Sequence, residues 1–465
     1  SFLIPHSSFS PPVRNNGVVN SRQPVADPRL TAGLVGGATV IAQALLLRES
    51  MAAMGGSEIA WGVVIALWLL GTACGAALGV RSGSARIAGW LPIVVLLLAG
   101  VGTVILRASP LLIGSAPGET ITTASAIWLW IMAITPAAVV GGLAFPLVAE
   151  SIGAAGGGRA YAFEAVGSLL GGILVSIVRL SLGTAGALCL SIGTLLAGIG
   201  WQRRSVTATL LAITGFVVAI PSDGVLARAG WAWSGKPGTL GAWMETRYQQ
   251  VAISDGPPFA VYGDGRLTAS YPDPYTVFPR AHLLMLLHPQ PRNVLAVGCL
   301  VDGSVEALSL HPIDRLTVVE SDPDLLAALP EVFGTETKAA LDRPEVQALA
   351  TDPLRALDNG EDWDLIILLD GDPTTLRHNR TRTLEFLQRC RTRMRQDGIL
   401  IMRVGVPDTY IGGVGGKLLS VLASTLKQVF EQLVIIPGED VLLVAGGPQA
   451  ELTLDHEVLL QRLEQ

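Results

Sequence analysis

Cysteine is scarce in this 465-residue chain. There are four (Cys74, Cys189, Cys299 and Cys390), and no two form a C-x-x-C pair. That spacing argues against a disulfide framework or a cysteine zinc site. Charge is also sparse, with Asp, Glu, Lys and Arg making up 15% of residues. Lysine first occurs at position 236, so the N-terminal half draws its lysine/arginine charge from arginine alone. The absence of a basic tract argues against nucleic acid as a partner. What residues 30–221 lack is any long polar stretch. Half of all residues are hydrophobic, more than a soluble protein of this size carries, and the excess lies in that region. After about Trp243 the composition is that of an ordinary globular domain. The chain therefore divides into a membrane half and a soluble half.

Crossing the hydrocarbon core of a bilayer takes roughly 20 apolar residues. About seven segments qualify, near 30–48, 58–80, 87–106, 124–149, 160–181, 183–201 and 205–221. Arg14, Arg22, Arg29, Arg81, Arg86, Arg159, Arg203 and Arg204 fall on one side of these spans, and Arg48, Arg107 and Arg179 near the other. Arginine collects on the cytoplasmic side, which places the N-terminus there. An odd span count then puts the soluble half outside the cytoplasm, in the periplasm of a bacterial inner-membrane protein. An even count would put it inside. Small residues in "GTACGAALG" (71–79) and "GSLLGG" (167–172) predict closely packed helices. Arg48 and Glu49, at the end of the first span, read as interfacial residues reaching for water.

The expected organisation is a polar tail at 1–28, rather than a signal peptide, then a transmembrane helical domain at 29–221. A linker at 222–242, a small β-cap at 243–291, an α/β domain at 292–450 and a tail at 451–465 follow. In the α/β domain, strands near 293–298, 315–320, 346–350, 363–370, 398–404, 432–436 and 440–446 alternate with helices. That alternation predicts a parallel sheet covered on both faces. The last two strands are joined by "PGED", too short for a crossover, so the final strand should run antiparallel.

Ligands of such sheets bind at the carboxyl ends of the strands. Four clusters converge there. The turn from Gly298 to Gly303 could offer backbone N–H groups. Glu320, ending the second strand, could accept both hydroxyls of a ribose. Asp352 could receive an adenine amino group, and Asp370 and Asp372 could bind an amine and take its proton.

The ordered set "YQQVAIS", "GDGRLTAS", "HPQPRNVLAVG", "VVESDP" and "WDLIILLDGDP" resembles the spermidine synthase (aminopropyltransferase) family. "LLLRESMAAMGGSEIAWGVVIALWLLGTACGAALG", "PAAVVGGLAFPLVAE" and "RAYAFEAVGSLLGG" are similar to its membrane-fused members. The resemblance implies a seven-stranded methyltransferase-like (Rossmann-type) sheet with a β-cap. It also implies decarboxylated S-adenosylmethionine as donor, S-adenosylmethionine as an alternative, and a diamine as acceptor. By position, Glu320 would hold the ribose, Asp352 the adenine, and Asp302 would sit near the donor's amino end. Asp370 would be the base, with Tyr275 near the acceptor.

Three departures qualify that implication. The turn after the first strand, "GCLVDGS", is one residue longer and bulkier than the family's glycine run. "YTV" lacks the carboxylate expected after Tyr275, and the Asp370–Asp372 loop is one residue shorter. These losses lead to the expectation of a degenerate site with no bound cofactor. The chain would then be a non-catalytic accessory subunit, with the bilayer and other membrane subunits as partners. The alternatives are an active membrane-bound aminopropyltransferase and an amine transporter with a sensing domain.

Overall fold

The computed structural model describes residues 27–82, 85–115, 121–152, 156–358, 362–407, 409 and 411–464. Nearly all of the expected N-terminal tail, with Arg14 and Arg22, lies outside these residues. The N-terminal half is a helical bundle: α1 (Pro28–Ala53), α2 (Ile59–Ser82), α3 (Leu91–Arg107), the short α4 (Ser109–Ile113), α5 (Thr123–Ile152), α6 (Gly156–Arg203) and α7 (Val206–Trp233). Pro28 opens α1, where its missing N–H costs no hydrogen bond, and Asp27 caps the helix by accepting the Arg29 N–H.

Among the described residues, six helices are long and apolar enough to cross a membrane. The sequence suggests about seven spans, and the difference lies in α6. At ~1.5 Å per residue, its 48 residues would far exceed a bilayer if straight. Gly183 breaks the helix with φ +68° and ψ −177°. Beyond the break, Ala187, Leu188, Ile192 and Leu195 pack into the same cluster as Ala38, Leu45, Val95 and Leu96 of α1 and α3. The chain therefore turns back at Gly183, where two expected spans meet.

Glycine sets the helix spacing. A Cβ on Gly167 would lie 1.8 Å from the Gly33 carbonyl oxygen, and one on Gly75 2.0 Å from that of Val139. The glycine faces in "GTACGAALG" and "GSLLGG" are thus used within this chain, joining α2 to α5 and α6 to α1.

The expected linker at 222–242 is largely helical. Helix α7 continues through Pro221 to Trp233, because Asp223 is anchored there. Its carboxylate accepts from Arg107, the Ala185 N–H and Trp243 Nε1. The cap sheet then begins earlier than the sequence suggests, with β1 (Leu240–Glu245), β2 (Gln250–Ser254), β3 (Phe259–Gly263) and β4 (Arg266–Tyr271) in antiparallel order.

Helix α8 (Pro274–Leu286) leads into β5 (Asn293–Val297), α9 (Ser304–Leu308), β6 (Arg315–Glu320), α10 (Pro323–Phe333) and α11 (Thr335–Leu341). Next come β7 (Val346–Ala350), α12 (Pro353–Leu357), β8 (Trp363–Leu368), α13 (Leu376–Asn379), α14 (Leu384–Thr392) and β9 (Met394–Val404). The domain closes with α15 (Gly413–Lys427), β10 (Gln432–Ile436), β11 (Val441–Gly446) and α16 (His456–Leu463). The strands order β10-β11-β9-β8-β5-β6-β7. As expected, β11 is antiparallel to both its neighbours. Alternate residues of β5 feed opposite cores, Val294 and Ala296 on one face and Leu295 and Val297 on the other. A strand buried on both sides must be apolar throughout.

The two halves are joined by buried charge. Arg107 donates through Nε and Nη2 to both Glu49 oxygens, at 2.9 and 2.8 Å. Glu245 of β1 accepts from Arg179 at 2.6 Å and from Thr184 at 2.9 Å. Gln250 of β2 donates to both Glu49 and Glu245. Burial, followed by the nearby Glu49 and Asp223 charges, raises the Glu245 carboxyl above its usual range. The interfacial reading of Glu49 is thus corrected. It is 2% exposed and reaches a guanidinium and an amide rather than water.

Candidate functional site

A cleft of about 900 Å³ opens at the carboxyl ends of β5, β6, β7 and β8. The β3–β4 turn and the α1–α2 turn wall its other sides. Most of the candidate residues meet there: Gly298, Asp302, Glu320, Asp352, Asp370 and Asp372 all line it. Tyr275 does not. It lies in the first turn of α8 and is 92% exposed. Gly303, with φ +87°, begins α9 and backs onto the Tyr271 ring rather than onto the cleft.

Gly298 is required by its surroundings. Its φ is +73°, and a Cβ would lie 2.4 Å from the Asp370 backbone. Strand β5 can therefore approach the loop after β8 only with glycine at this position. Of the bulky residues that follow, Leu300 and Val301 contribute to the cleft lining and also pack against the cluster beneath the cap. Leu300 is 3% exposed and packs with Val251, Tyr271, Leu325 and Phe333 beneath the cap. Cys299 is wholly buried, which pushes its thiol well up and away from reactivity.

The acids divide by their partners. Asp302 pairs with Arg280 at 2.5 Å, Asp352 with Arg380 at 2.7 Å, and Asp440 with Arg403 at 3.2 Å. Asp358 pairs with Arg389. Asp370 is held most completely: Oδ1 accepts from Arg382 at 2.7 Å, Oδ2 from the Thr381 hydroxyl at 2.6 Å, and its carbonyl from Arg382 Nη2. The Arg382 side chain is 1% exposed.

Five other acids of the lining, Glu58, Asp264, Glu320, Asp372 and Glu385, meet no guanidinium at ion-pair distance among the described residues. Four of them accept a backbone N–H: Glu320 from Asp322, Asp372 from Gly405, Asp264 from Gln250, and Glu58 from Leu376. Burial pushes the Glu320 and Asp264 carboxyls up and the nearby His378 imidazole down. Arg377 lies near enough to act on both Glu320 and Asp264, and Arg48 on Asp264, but the lining holds more acids than bases, which gives the cleft a negative potential.

Several of these residues give little sequence signal. Arg382 and Arg280 lie twelve and twenty-two residues along the chain from the acids they pair with, and Glu58 belongs to the helical bundle. The only hint at Glu58 is the glycine pair immediately before "SE" in "MGGSE".

Residues 280–418 match the spermine/spermidine synthase domain. The polyamine aminopropyltransferase of Streptococcus pneumoniae serotype 4 is 30% identical over 169 residues, covering 35% of this chain and 58% of that protein. That of Thermoanaerobacter sp. is 26% identical over 191 residues, covering 40% and 66%. The chain thus spans less than two thirds of the length of either relative. A crystal structure of spermidine synthase from Thermotoga maritima is similar at 17% identity and TM-score 0.39, covering 48% of this chain and 83% of that one. Another, in complex with the transition state analogue AdoDATO, gives 19% and 0.40, with 49% and 85% covered.

Proposed function

The soluble half carries a divergent spermine/spermidine synthase domain, and from that premise we propose a membrane-embedded, amine-binding protein that does not transfer aminopropyl groups efficiently. It would act as an accessory member of a membrane assembly. One observation carries the reading: the carboxylate positioned as the base, Asp370, is already bound by Arg382 and Thr381. A general base must reach the proton it removes. A carboxylate held on both oxygens, by a buried guanidinium and a hydroxyl, must give up one of those hydrogen bonds before it can accept a proton from an amine.

Decarboxylated S-adenosylmethionine is the donor that the family implies, and the residues present fit it in part. Glu320 meets no guanidinium at ion-pair distance among the described residues, and its carboxylate takes backbone N–H groups of Asp322 and Ser321. Asp352, however, uses Oδ1 on the Leu354 N–H and Oδ2 on Arg380. The arginine asymmetry and the turn-back at Gly183 support seven crossings, hence a soluble half outside the cytoplasm, where cytosolic adenosyl donors would not reach it.

The test is a transfer assay on purified full-length protein with decarboxylated S-adenosylmethionine and putrescine. We expect no product above background, and no difference between wild type and Asp370→Asn. Turnover that is lost in Asp370→Asn would overturn the reading in favour of an active aminopropyltransferase. That second reading draws on the cleft itself, which is open and holds the expected acids at its strand ends.

A further inference from the structure

A second cavity, of about 580 Å³, lies between the bundle and the cap sheet. Ala52 of α1, Arg107 of α3 and Gly230 of α7 wall it on one side, and Trp243 and Tyr262 of the cap on the other. It therefore sits where three apolar helices end. Ala252 of β2 pairs with Trp243 of β1 and with Tyr262 of β3, so the three form one row across the sheet. The two ring-bearing residues are two strand spacings apart, about 10 Å. A cation lies over each end of the row. The Arg107 guanidinium is 5.0 Å from the Trp243 ring centroid. The Lys236 ammonium is 4.4 Å from the Tyr262 centroid and 5.3 Å from that of Trp231. Burial alone acts on that ammonium and holds its pKa down to about 8.

We propose that this cavity binds an anionic phospholipid, with the headgroup phosphate on Lys236 and an ester carbonyl of the same lipid on Arg107. The proposal rests on the membrane reading above. Two independent observations point to acceptor oxygens. Lys236 has aromatic rings opposite it and, among the described residues, no carboxylate at ion-pair distance. Arg107 has a side chain 6% exposed and spends Nε and Nη2 on Glu49 and Asp223. Its Nη1 is buried and meets no acceptor among the described residues. The other charged groups of the lining are Glu49, Asp264 and Arg266. Glu49, Asp223 and Glu245 offset the charge of Arg107, so Arg107 offers a donor suited to a neutral carbonyl. Arg48 and Arg377 act on Asp264. Lys236 thus supplies the net attraction for the phosphate. The rest of the wall suits the acyl chains: Leu106, Pro110, Ile121 and Ala227 line it. Leu111 and Leu112 of α4, next along the chain from Pro110, are 59% and 57% exposed. Tryptophan and tyrosine concentrate at the membrane–water interface, and basic pockets between membrane helices hold lipid headgroups.

The experiment titrates the delipidated full-length protein in detergent with phosphatidylglycerol and reads occupancy by native mass spectrometry. Diacylglycerol, with the same tails and no phosphate, and inorganic phosphate are the other arms. Phosphatidylglycerol is expected to bind, diacylglycerol to bind at least about tenfold more weakly, and inorganic phosphate not to compete. Lys236→Gln removes the charge at a half-buried position after α7 and should weaken phosphatidylglycerol binding about ten- to a hundredfold, the range for loss of a charge-assisted hydrogen bond. The thermal midpoint of the lipid-free protein should not move, and Lys236→Arg should bind nearly as wild type does. Equal binding by wild type and Lys236→Gln, or equal binding of diacylglycerol, overturns the proposal. Competition by inorganic phosphate would make this a site for a free anion and overturn the lipid assignment. Recovery of the protein from cells without detergent would instead overturn the membrane reading on which the proposal rests.

Discussion

Asp352 and Asp370 each face one arginine, and burial makes the two pairs unequal. The Arg380 side chain is 64% exposed, whereas that of Arg382 is 1% exposed. An exposed pair contributes roughly 0–1 kcal/mol, because water and salt screen it. Removing one partner of a buried pair costs about 3–5 kcal/mol, since the other charge is left without compensation. Arg380→Ala should therefore leave the thermal midpoint nearly unchanged, while Arg382→Ala should lower it by several degrees or more. Thermal unfolding of the two variants side by side checks this. Equal midpoints would mean that Asp370 is not held as tightly as its hydrogen bonds suggest. The same difference bears on function. Asp352 can be freed by breaking a weak surface pair, but Asp370 cannot be released so easily.

At the level of elements, the bundle is organised by glycines that let backbones touch. Two neighbouring positions on α6 make the point testable. A Cβ on Gly167 would lie 1.8 Å from the Gly33 carbonyl oxygen, while one on Gly172 meets nothing nearer than Val40 Cγ1 at 3.6 Å. Gly167→Ala should push α1 and α6 apart and cost about 1–3 kcal/mol, as overpacking does. Gly172→Ala should be neutral or slightly stabilising, since it adds an ordinary contact and restricts the unfolded chain. Midpoints measured in the same detergent decide between them. Both glycine faces are satisfied within the chain, so a partner would have to engage the outward apolar side chains instead. Leu69 and Leu70 on α2 and Val217 and Ile220 on α7 are examples of such surface.

At the level of the whole molecule, the buried network of Glu49, Arg107, Asp223, Glu245 and Arg179 fastens the cap to the bundle. Helices α1, α3, α6 and α7 each supply part of it. The cleft is therefore held at a fixed place relative to the membrane helices, on the side where α1 and α3 end. The seven crossings proposed above would put that side opposite the N-terminus. A cysteine introduced at the exposed Gln461 should react with an impermeant maleimide in intact cells. Labelling only after rupture would mean one crossing fewer and a soluble half in the cytoplasm.

Much of this architecture was legible in the sequence because it depends on local pattern. Apolar runs marked the long helices of the bundle, alternation marked the sheet, and "PGED" fixed the direction of the last strand. Glu320, Asp352, Asp370 and Asp372 could be assigned to one edge because strand ends converge there in any sheet of this kind. Tertiary structure decided what no local pattern encodes. Tyr275 sits in an α8 turn that faces away from the cleft, Gly183 reverses α6, and α7 runs on where a linker was expected. Arg382 faces Asp370 across twelve residues, and Glu49 meets Arg107 across fifty-eight. The charge state and availability of an acid depend on its burial and on the cation opposite. Both are set by chain packing, so sequence located the acids while only the fold decided which of them remain free.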